Sequence, residues 1–385
     1  MLLKRGNIKI IFFKVFLTLG ILVFVFVLCH DLIAGEKTSI GIYDRTALIV
    51  SVTVIFVSLN LLLFYKFRLY QKKFFSTKIF LFEGIMAVLL IILLVIAGGS
   101  AYRRLLTARE TSIWSIGIYY CFSSEPIEFS GQGICNPILT AEDITDIEAK
   151  FVADPFLIHE KGVFYLFFEV FNSRTRQGDI GLATSQDGLN WNYRQIVPDE
   201  SYHLSFPYVF RYNNEFYMMP AKGDGFILYR ADPFPTHWVE VKTIIQEGGL
   251  GDGAIFYFRD SWWILAGAEG RENLELFYAD TPLGPWVKHP KSPVVKGNAD
   301  WASPGGQVVV FDDRVIRYAQ DVTPYYGNQV WAIEITKLTK DDYEEKMART
   351  TPILKGDENW NTRGMHHISP VRLEKERWLA AVDGY

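Results

Sequence analysis

The stretch KFVADPFLIHEKGVFYLFFEV, residues 150–170, decides the fold. Two apolar, aromatic-rich runs flank the polar segment HEKG, a pattern typical of a β-hairpin. Asp154 and Pro155 stand at the start of the first run, and Glu169 stands near the end of the second. An Asp-Pro pair by itself is most often a turn, because Pro fixes φ and Asp hydrogen-bonds to the nearby backbone. A reason for a carboxylate at this place must come from the rest of the chain.

The hairpin pattern recurs four more times along the chain. The further copies are SFPYVFRYNNEFYMMP, GDGAIFYFRDSWWILAG, PGGQVVVFDDRVIRYAQ and HHISPVRLEKERWLAAV. In every copy a small or polar entry leads into the first strand, and the aligned anchor positions, 46 to 62 residues apart, are Asp154, Phe206, Asp252, Gly305 and His367. Eleven positions after each anchor comes an aromatic or aliphatic residue, namely Tyr165, Tyr217, Trp263, Ile316 or Trp378. Repeats of this size predict an all-β, five-bladed β-propeller over residues 110–385.

Third-strand motifs follow three of the hairpins, in GLATSQDGLNW, LYRADPFPTHW and FYADTPLGPW. The last hairpin has none after it, but WSIGIYY at residues 114–120 resembles the third-strand segment GDIGLATS. We therefore predict that this early segment supplies the third strand of the last blade and closes the ring. The segment 336–350 has helical character and predicts a helical insertion in the fourth blade.

Three apolar runs occupy the first hundred residues, at about 10–29, 47–65 and 79–98. Each is close to the roughly 20 residues that a helix needs to cross a bilayer. They predict that residues 1–109 form a membrane domain of three transmembrane α-helices, with a cleaved signal peptide as the alternative for the first run.

Basic residues in the short flanks of these runs predict the orientation. Nine Lys and Arg residues lie on the side that holds the N-terminus, and five lie on the other side. Because basic flanks resist translocation, we expect an integral, multi-pass membrane protein whose C-terminal domain is extracytoplasmic. In that oxidising setting Cys121 and Cys135 are predicted to form a disulfide, with two free thiols as the alternative.

Charge and motif content exclude several classes of function. The net charge of −4 offers no basic face for nucleic acid, and no Gly-rich loop opens a helix as in a nucleotide-binding motif. No Cys and His residues have the spacing of a zinc site. The sequence thus predicts no cofactor, no metal and no nucleic-acid partner, but it leaves a metal in the central channel undecided.

Propeller geometry brings the anchors together. The innermost strand of each blade begins near the central channel, so Asp154, Asp252, His366 and His367 are expected to meet at its mouth. Clustered carboxylates and imidazoles are candidates for acid and base chemistry. The alternatives are that the two Asp residues only cap turns of the blades, and that the two His residues line the channel with their hydrogen bonds satisfied. Asp321 is a further candidate for the catalytic acid. The candidate substrate-binding residues are Glu169, Gln320, His366, His367 and Trp263. The alternative for Glu169 is a solvated charge at the rim of the propeller.

Several segments taken together resemble a known family. NPILTAEDITDIEAKFVADPFLIHEKGVFYLFFEV, FPTHW, LFYADTPLGPW, IRYAQD, ITKLTKDDYEE and MHHISPVRLEKERWLAAVDG are similar to the N-terminal domain family of glucosamine inositolphosphorylceramide transferases. That family in turn resembles the five-bladed propellers of glycoside hydrolase family 43. The resemblance covers residues 112–385 and implies a glycan or glycolipid ligand. In the plant transferases the glycosyltransferase domain is a separate module after the propeller, which implies a possible glycosyltransferase partner.

The resemblance also implies roles for particular residues. Asp154 matches the general base of family 43, and Asp252 matches the Asp that orients the general acid and tunes its pKa. The general-acid Glu has no match, because WASPGGQ stands in its place with Asp300 and Asp321 as the nearest carboxylates. Glycosidic cleavage needs a proton donor as well as a base or nucleophile.

Three functions remain open on the sequence. The first is a membrane-anchored carbohydrate-active enzyme that hydrolyses or transfers glycosidic bonds, with Asp321 or a His as the donor. The others are a non-catalytic glycan-binding propeller and a protein-docking scaffold. If Asp154 lies beside another carboxylate, as the convergence implies, its replacement by Asn should leave stability unchanged or raised and abolish sugar binding or turnover.

Overall fold

The computed structural model describes residues 113–385, except residues 199, 269 and 358–359. They form five antiparallel β-sheets, and the predicted five-bladed, all-β propeller is confirmed. The three predicted membrane spans lie outside the described residues. Within the described part of the chain, no helix has the length and apolar character needed to cross a membrane.

The strands are numbered along the chain, beginning with β1 (Ser115–Cys121). Blade 1 contains β2 (Ala149–Glu160), β3 (Val163–Asn172), β4 (Gln177–Ser185) and β5 (Asn192–Ile196). Blade 2 contains β6 (Ser205–Tyr212), β7 (Glu215–Ala221), β8 (Phe226–Ala231) and β9 (Trp238–Ile245). Blade 3 contains β10 (Leu250–Phe258), β11 (Ser261–Ala268), β12 (Asn273–Ala279) and β13 (Val287–Lys288).

Blade 4 is broken into shorter pieces. Its strands are β14 (Ser303–Pro304), β15 (Val309–Phe311), β16 (Arg314–Asp321), β17 (Gln329–Leu338), β18 (Tyr343–Met347) and β19 (Leu354–Lys355). Blade 5 contains β20 (Ile368–Glu374) and β21 (Arg377–Gly384), and a short 3-10 helix, Ala141–Asp143, precedes blade 1.

The ring closes as predicted. Strand β1 pairs antiparallel with β21, from Ser115 opposite Gly384 to Cys121 opposite Trp378. Ile116 and Ile118 on β1 are fully buried, because they pack into the apolar cluster that blade 5 shares with blade 1. The third strand of the last blade therefore comes from the opposite end of the propeller sequence.

The predicted helical insertion at residues 336–350 is wrong. The segment completes β17 and forms β18, and the two strands pair with Leu338 opposite Tyr343. Two contacts hold it as a strand. Tyr343 is buried, and the Glu345 carboxylate binds the guanidinium of the buried Arg317 through Nε at 2.7 Å and Nη2 at 2.8 Å. Tertiary packing thus outweighs the local helix propensity of this polar segment.

The predicted disulfide is not formed in the structure, where Cys121 and Cys135 are free. Cys121 faces the apolar cluster of blades 4 and 5, and its Sγ lies 3.3 Å from the carbonyl oxygen of Glu125. Cys135 is exposed in the loop that follows β1. Closeness in sequence therefore did not bring the two thiols together, because one belongs to the core and the other to the surface.

Ile118→Ala should lower the free energy of unfolding by about 2–5 kcal/mol, because it opens a cavity at the strand that closes the ring. Urea denaturation followed by tryptophan fluorescence would measure the change. The matched control is Ile113→Ala, which alters an exposed side chain and should stay within about 0.5 kcal/mol of the unchanged chain. Equal stabilities for Ile118→Ala and the control would contradict closure by β1.

Maleimide should label Cys135 in the folded chain and Cys121 only after denaturation. Burial raises the pKa of the Cys121 thiol and shields it, and the thiolate is the reactive form. Peptide mapping by mass spectrometry would separate the two sites. A Cys121 to Cys135 disulfide peptide in the non-reduced digest would show that the thiols are bonded after all.

Candidate active site

The first anchor sits on a β-bulge. The pairing of β2 with β3 shifts register between Ala153 and Phe156, and Asp154 within this shift has φ 51°. The second anchor, Phe206, has φ 48° at the equivalent shift in blade 2. Left-handed backbone is uncommon for residues other than Gly, and Asp tolerates it better than most. The bulge turns the Asp154 side chain away from its own sheet and toward blade 5.

His366 connects Asp154 to a second carboxylate. Its Nε2 lies 3.1 Å from Asp154 Oδ1, and its Nδ1 lies 2.9 Å from Asp383 Oδ1. All three side chains are buried. The predicted meeting of Asp154 with His366 is therefore found, and the imidazole stands between two carboxylates.

Asp383 is the residue that sequence reasoning missed. Its Oδ1 accepts the backbone N–H of His366 at 3.2 Å and of His367 at 3.0 Å, and its Oδ2 accepts the backbone N–H of Asp154 at 3.0 Å. One buried carboxylate thus fixes the backbone of blade 1 against that of blade 5. A signal was present in the sequence, since acidic residues recur at the ends of second strands as Glu169, Asp321 and Asp383.

This arrangement sets the charges of His366 and Asp154. Burial alone would lower the pKa of His366, but the carboxylates of Asp383 and Asp154 outweigh it and raise the pKa to about 10. Burial alone would raise the pKa of Asp154, but hydrogen bonding to His366 and His367 outweighs it and lowers the pKa. At neutral pH Asp154 is a carboxylate and His366 an imidazolium.

His367 packs beside Asp154. Its ring is fully buried, with centroids 4.7 Å from Phe156 and 5.0 Å from Phe206, and its Nδ1 lies 3.5 Å from Asp154 Oδ1. A substrate cannot reach a ring packed in this way. The predicted substrate-binding role is therefore replaced by a role in holding Asp154.

The cluster also has the composition of a metal site. One ligand atom from each of Asp154, His366 and Asp383 lies within 4.8 Å of the others. A metal needs a neutral imidazole with a free ring nitrogen, whereas both nitrogens of His366 face carboxylates and its pKa is raised to about 10. The geometry fits a proton shared among these groups better than it fits a metal.

The third-blade carboxylate is held by other partners. Arg271 Nη1 lies 2.6 Å from Asp252 Oδ2, and Gln320 Nε2 donates to the same oxygen at 3.0 Å. Arg271 Nη1 also lies 3.2 Å from Ser303 Oγ, at the start of blade 4 where the resemblance expects a general-acid Glu. Gln320 is fully buried, so it positions Asp252 and does not meet a substrate.

Glu169 lies at the end of β3, directly across from Ala153. Burial, and then the negative charge of Asp154, raise its pKa well above the ordinary value. The nearest ionisable contact is His203, whose Nε2 lies 4.0 Å from Glu169 Oε1. The rim-charge alternative does not hold, since the Glu169 side chain is only 10% exposed.

Two sequence candidates have structural roles instead. The Asp321 carboxylate accepts four hydrogen bonds, from the Thr323 backbone and hydroxyl, Gln329 Nε2 and Trp331 Nε1, so both of its oxygens already have partners within the protein. Trp263 is buried in the core of blade 3, and its Nε1 donates to the carbonyl oxygen of Phe258 at 3.1 Å.

Aromatic rings form one wall of the mouth. Trp114 packs against His366 and Tyr385, each with ring centroids 4.2 Å away, and lies 6.1 Å from Tyr326. The guanidinium of Arg271 lies 4.8 Å from the centroid of the exposed Tyr326. The mouth thus offers an aromatic surface beside one cation and several carboxyl groups.

Comparison with known proteins agrees with this arrangement. Residues 107–385 match the family model described as "Glucosamine inositolphosphorylceramide transferase 1, N-terminal". The chain belongs to this family. It is 37% identical over 296 residues to glucosamine inositolphosphorylceramide transferase 1 of Oryza sativa subsp. japonica, covering 70% of this chain and 40% of the relative. The relative from Arabidopsis thaliana is 36% identical over the same length. The chain therefore spans about 40% of the length of the curated relatives it matches.

A solved structure also has this fold. A putative glycoside hydrolase from Parabacteroides distasonis superposes with a TM-score of 0.51 at 10% identity, covering 65% of this chain and 94% of that one. A family 43 β-xylosidase/α-arabinofuranosidase from a compost metagenome matches at a TM-score of 0.45 and 13% identity, covering 54% and 76%. The chain is therefore a five-bladed propeller of this family.

Stability should fall as pH rises from about 6.5 to about 10. His366 has a folded pKa of about 10 against an ordinary 6.5, so its stabilising contribution is complete below pH 6.5 and is lost toward pH 10. The lowered pKa of Asp154 acts at the other end, where its contribution is lost as pH falls below 3.8. Melting temperatures recorded from pH 3 to 10 would test this, and a curve that rises between pH 7 and 10 would contradict it.

The sequence predicted that replacing Asp154 leaves the stability of the fold unchanged or raised. The structure predicts the opposite, because the immediate neighbours of Asp154 are imidazoles. Asp154→Asn should lower the free energy of unfolding at pH 7 by about 3–5 kcal/mol, since it leaves the buried His366 cation with one carboxylate partner. Asn also tolerates the left-handed backbone, so strain does not confuse the result. Chemical denaturation would measure the loss. Asp313→Asn, at an exposed ion pair with Arg259, is the control and should leave stability unchanged.

Proposed function

We propose that this protein is a membrane-anchored carbohydrate-active propeller that hydrolyses or transfers a glycosidic bond of a glycan or glycolipid. The main support is Asp154, an ionised carboxylate fixed at the channel mouth by His366 and His367. Glycosidic bonds break through a transition state with positive charge on the sugar ring. A carboxylate already held in place stabilises that charge without reorganising.

The charge state of Asp154 refines the role that family 43 implies. An efficient general base has a pKa near the working pH, and the pKa of Asp154 is lowered far from it. A permanently ionised carboxylate suits a nucleophile or an electrostatic stabiliser better. Its Oδ2 accepts the backbone N–H of Phe206 at 3.3 Å and keeps lone-pair capacity for the reacting carbon. In this proposal Asp154 faces the anomeric carbon and is ionised when the substrate binds.

The mouth also suits a glycolipid headgroup. Exposed Tyr326 offers a ring face to a sugar, and Arg271, whose side chain is 37% exposed, offers a cation to an anionic substituent. The relatives are named for inositolphosphorylceramide, whose phosphate would be such a substituent. We assign Arg271 to the anionic group and Asp252 to fixing the guanidinium.

Membrane attachment and partners belong to the same proposal. The apolar runs 10–29, 47–65 and 79–98 hold the chain in a lipid bilayer, and the basic flanks favour an extracytoplasmic propeller. Because the relatives are named as transferases, we also propose a glycosyltransferase as a partner of this propeller.

A non-catalytic glycan-binding propeller is the second candidate. It is favoured by the pairing of Asp252 with Arg271 and Gln320, and by Ser303 at the place of the family 43 general acid. Such a site would hold sugar hydroxyls without breaking a bond.

The test is glycan-array binding by the full chain in detergent, followed by mass analysis of every bound glycan after incubation. We expect binding of anionic glycans and cleaved or transferred products. Arg271→Gln should weaken binding of anionic glycans at least tenfold, because it removes the cation at the mouth. Arg259→Gln is the matched control, at an exposed turn between β10 and β11. Binding without products would favour the second candidate, and no glycan binding at all would contradict both.

A further inference from the structure

We infer that Glu169 is the proton donor of this site. The inference rests on the proposed function, since a donor is needed only if a glycosidic bond is broken. It assigns the acid to the second strand of blade 1, whereas the resemblance to family 43 places it at the start of blade 4.

The position of Glu169 suits a donor to the same bond that Asp154 faces. The β2 to β3 pairing sets Glu169 across from Ala153, the residue that precedes Asp154. Both acids therefore belong to the same end of one blade. The Glu169 side chain is 10% exposed and that of Asp154 is 8% exposed, so both are shielded from bulk water without being fully enclosed.

The Glu169 carboxyl lacks the hydrogen-bond donors that other buried acids of the propeller have. Asp252 accepts hydrogen bonds from Arg271 and Gln320, and Asp321 accepts four. Among the described residues, none donates a hydrogen bond to Glu169. A buried carboxyl without donors favours its neutral, proton-bearing form.

The charged groups that face Glu169 act mostly in the same direction. Burial is the largest cause that raises its pKa, the negative charges of Asp154, Asp252 and Asp383 add to it, and the His366 cation acts in the opposite direction. Glu169 is thus protonated at a pH where an ordinary Glu is ionised. Two acids with opposite protonation states in one site is the arrangement that glycosidic chemistry requires.

His203 is the remaining group, and it is kept neutral. The Gly178 backbone N–H donates to His203 Nδ1 at 2.7 Å, so the ring proton of the neutral form lies on Nε2. Partial burial lowers the pKa of His203, and its Nε2 lies 4.0 Å from Glu169 Oε1. A neutral N–H toward Glu169 does not remove its proton, but it can stabilise the anion that forms after transfer.

The step balances without a cofactor. Glu169 gives its proton to the glycosidic oxygen as the bond from that oxygen to the anomeric carbon breaks. The oxygen of water or of an acceptor alcohol forms the new bond to the same carbon and releases its proton to solvent. Glu169 then takes a proton back from solvent, so one bond forms, one breaks and the proton count is unchanged.

The first measurement asks whether Glu169 bears a proton. Infrared difference spectra of the full chain at pH 6.5 should contain the carbonyl band of a protonated carboxylic acid, and Glu169→Gln should remove that band. Glu275→Gln is the matched control, because Glu275 is a buried glutamate that binds Ser292 Oγ at 2.6 Å and Lys288 Nζ at 3.2 Å. A spectrum in which Glu169→Gln removes no such band would overturn the inference.

The second measurement asks whether that proton reaches the leaving group. Methyl and 4-nitrophenyl glycosides of the same sugar serve as probes, because nitrophenolate leaves without protonation. Glu169→Gln should slow the cleavage of the methyl glycoside by about 10²–10⁴-fold and the cleavage of the nitrophenyl glycoside by less than tenfold. Equal losses on both probes would show that Glu169 only supports the structure.

The third measurement changes the charge beside the donor. His203→Lys places a cation near Glu169 and should move the alkaline limb of the kcat/KM profile to lower pH by about 1–3 pH units, because a nearby opposite charge lowers a carboxyl pKa. His203→Gln adds no charge and should leave the limb in place. A limb that does not move with Lys would overturn the role of Glu169.

These results separate the two proposals. If the unchanged chain cleaves no glycoside, the proposed function fails, and the donor role fails with it. If the unchanged chain is active but Glu169→Gln slows the cleavage of both glycosides by the same factor, only the donor role fails.

Discussion

One imidazolium between two buried carboxylates is the interaction on which the rest of this propeller depends. His366 lies between Asp154 of blade 1 and Asp383 of blade 5, and Asp383 also accepts three backbone N–H groups from both blades. The contact that joins the two ends of the ring is therefore the same contact that sets the charge of the site. Removing one partner of a buried ion pair is costly, so closure and chemistry cannot change independently.

The same cluster explains why neighbouring acids behave differently. Asp154 has imidazoles around it and stays ionised, whereas Glu169, across the strand pair, has mostly carboxylates around it and resists ionisation. Both are buried acids of blade 1, so burial alone does not distinguish them. The distinction arises from which blade each side chain faces, and two acids with unequal affinity for protons are the result.

Much of the fold could be predicted because it depends on local patterns. The repeat register located all five anchors, and the similarity of WSIGIYY to other third strands located β1 opposite β21. Features set by distant contacts could not be predicted. The left-handed Asp154, the anchoring Asp383 and the four donors around Asp321 depend on side chains far along the chain, and Trp263 follows the repeat register into the core of a blade. The helical pattern at 336–350 was misleading for the same reason, because the segment pairs with β17 as a strand.

Ring closure by β1 and Asp383 has a consequence for biosynthesis. The backbone N–H of Asp154 and its acceptor on Asp383 are 229 residues apart. At roughly 5–20 residues per second, a ribosome takes on the order of 10–45 s to make the second after the first. Throughout that interval Asp154 lacks the partners that fix its charge. A nascent chain that has not reached Asp383 therefore lacks the contacts that fix Asp154, however many of its blades have already formed.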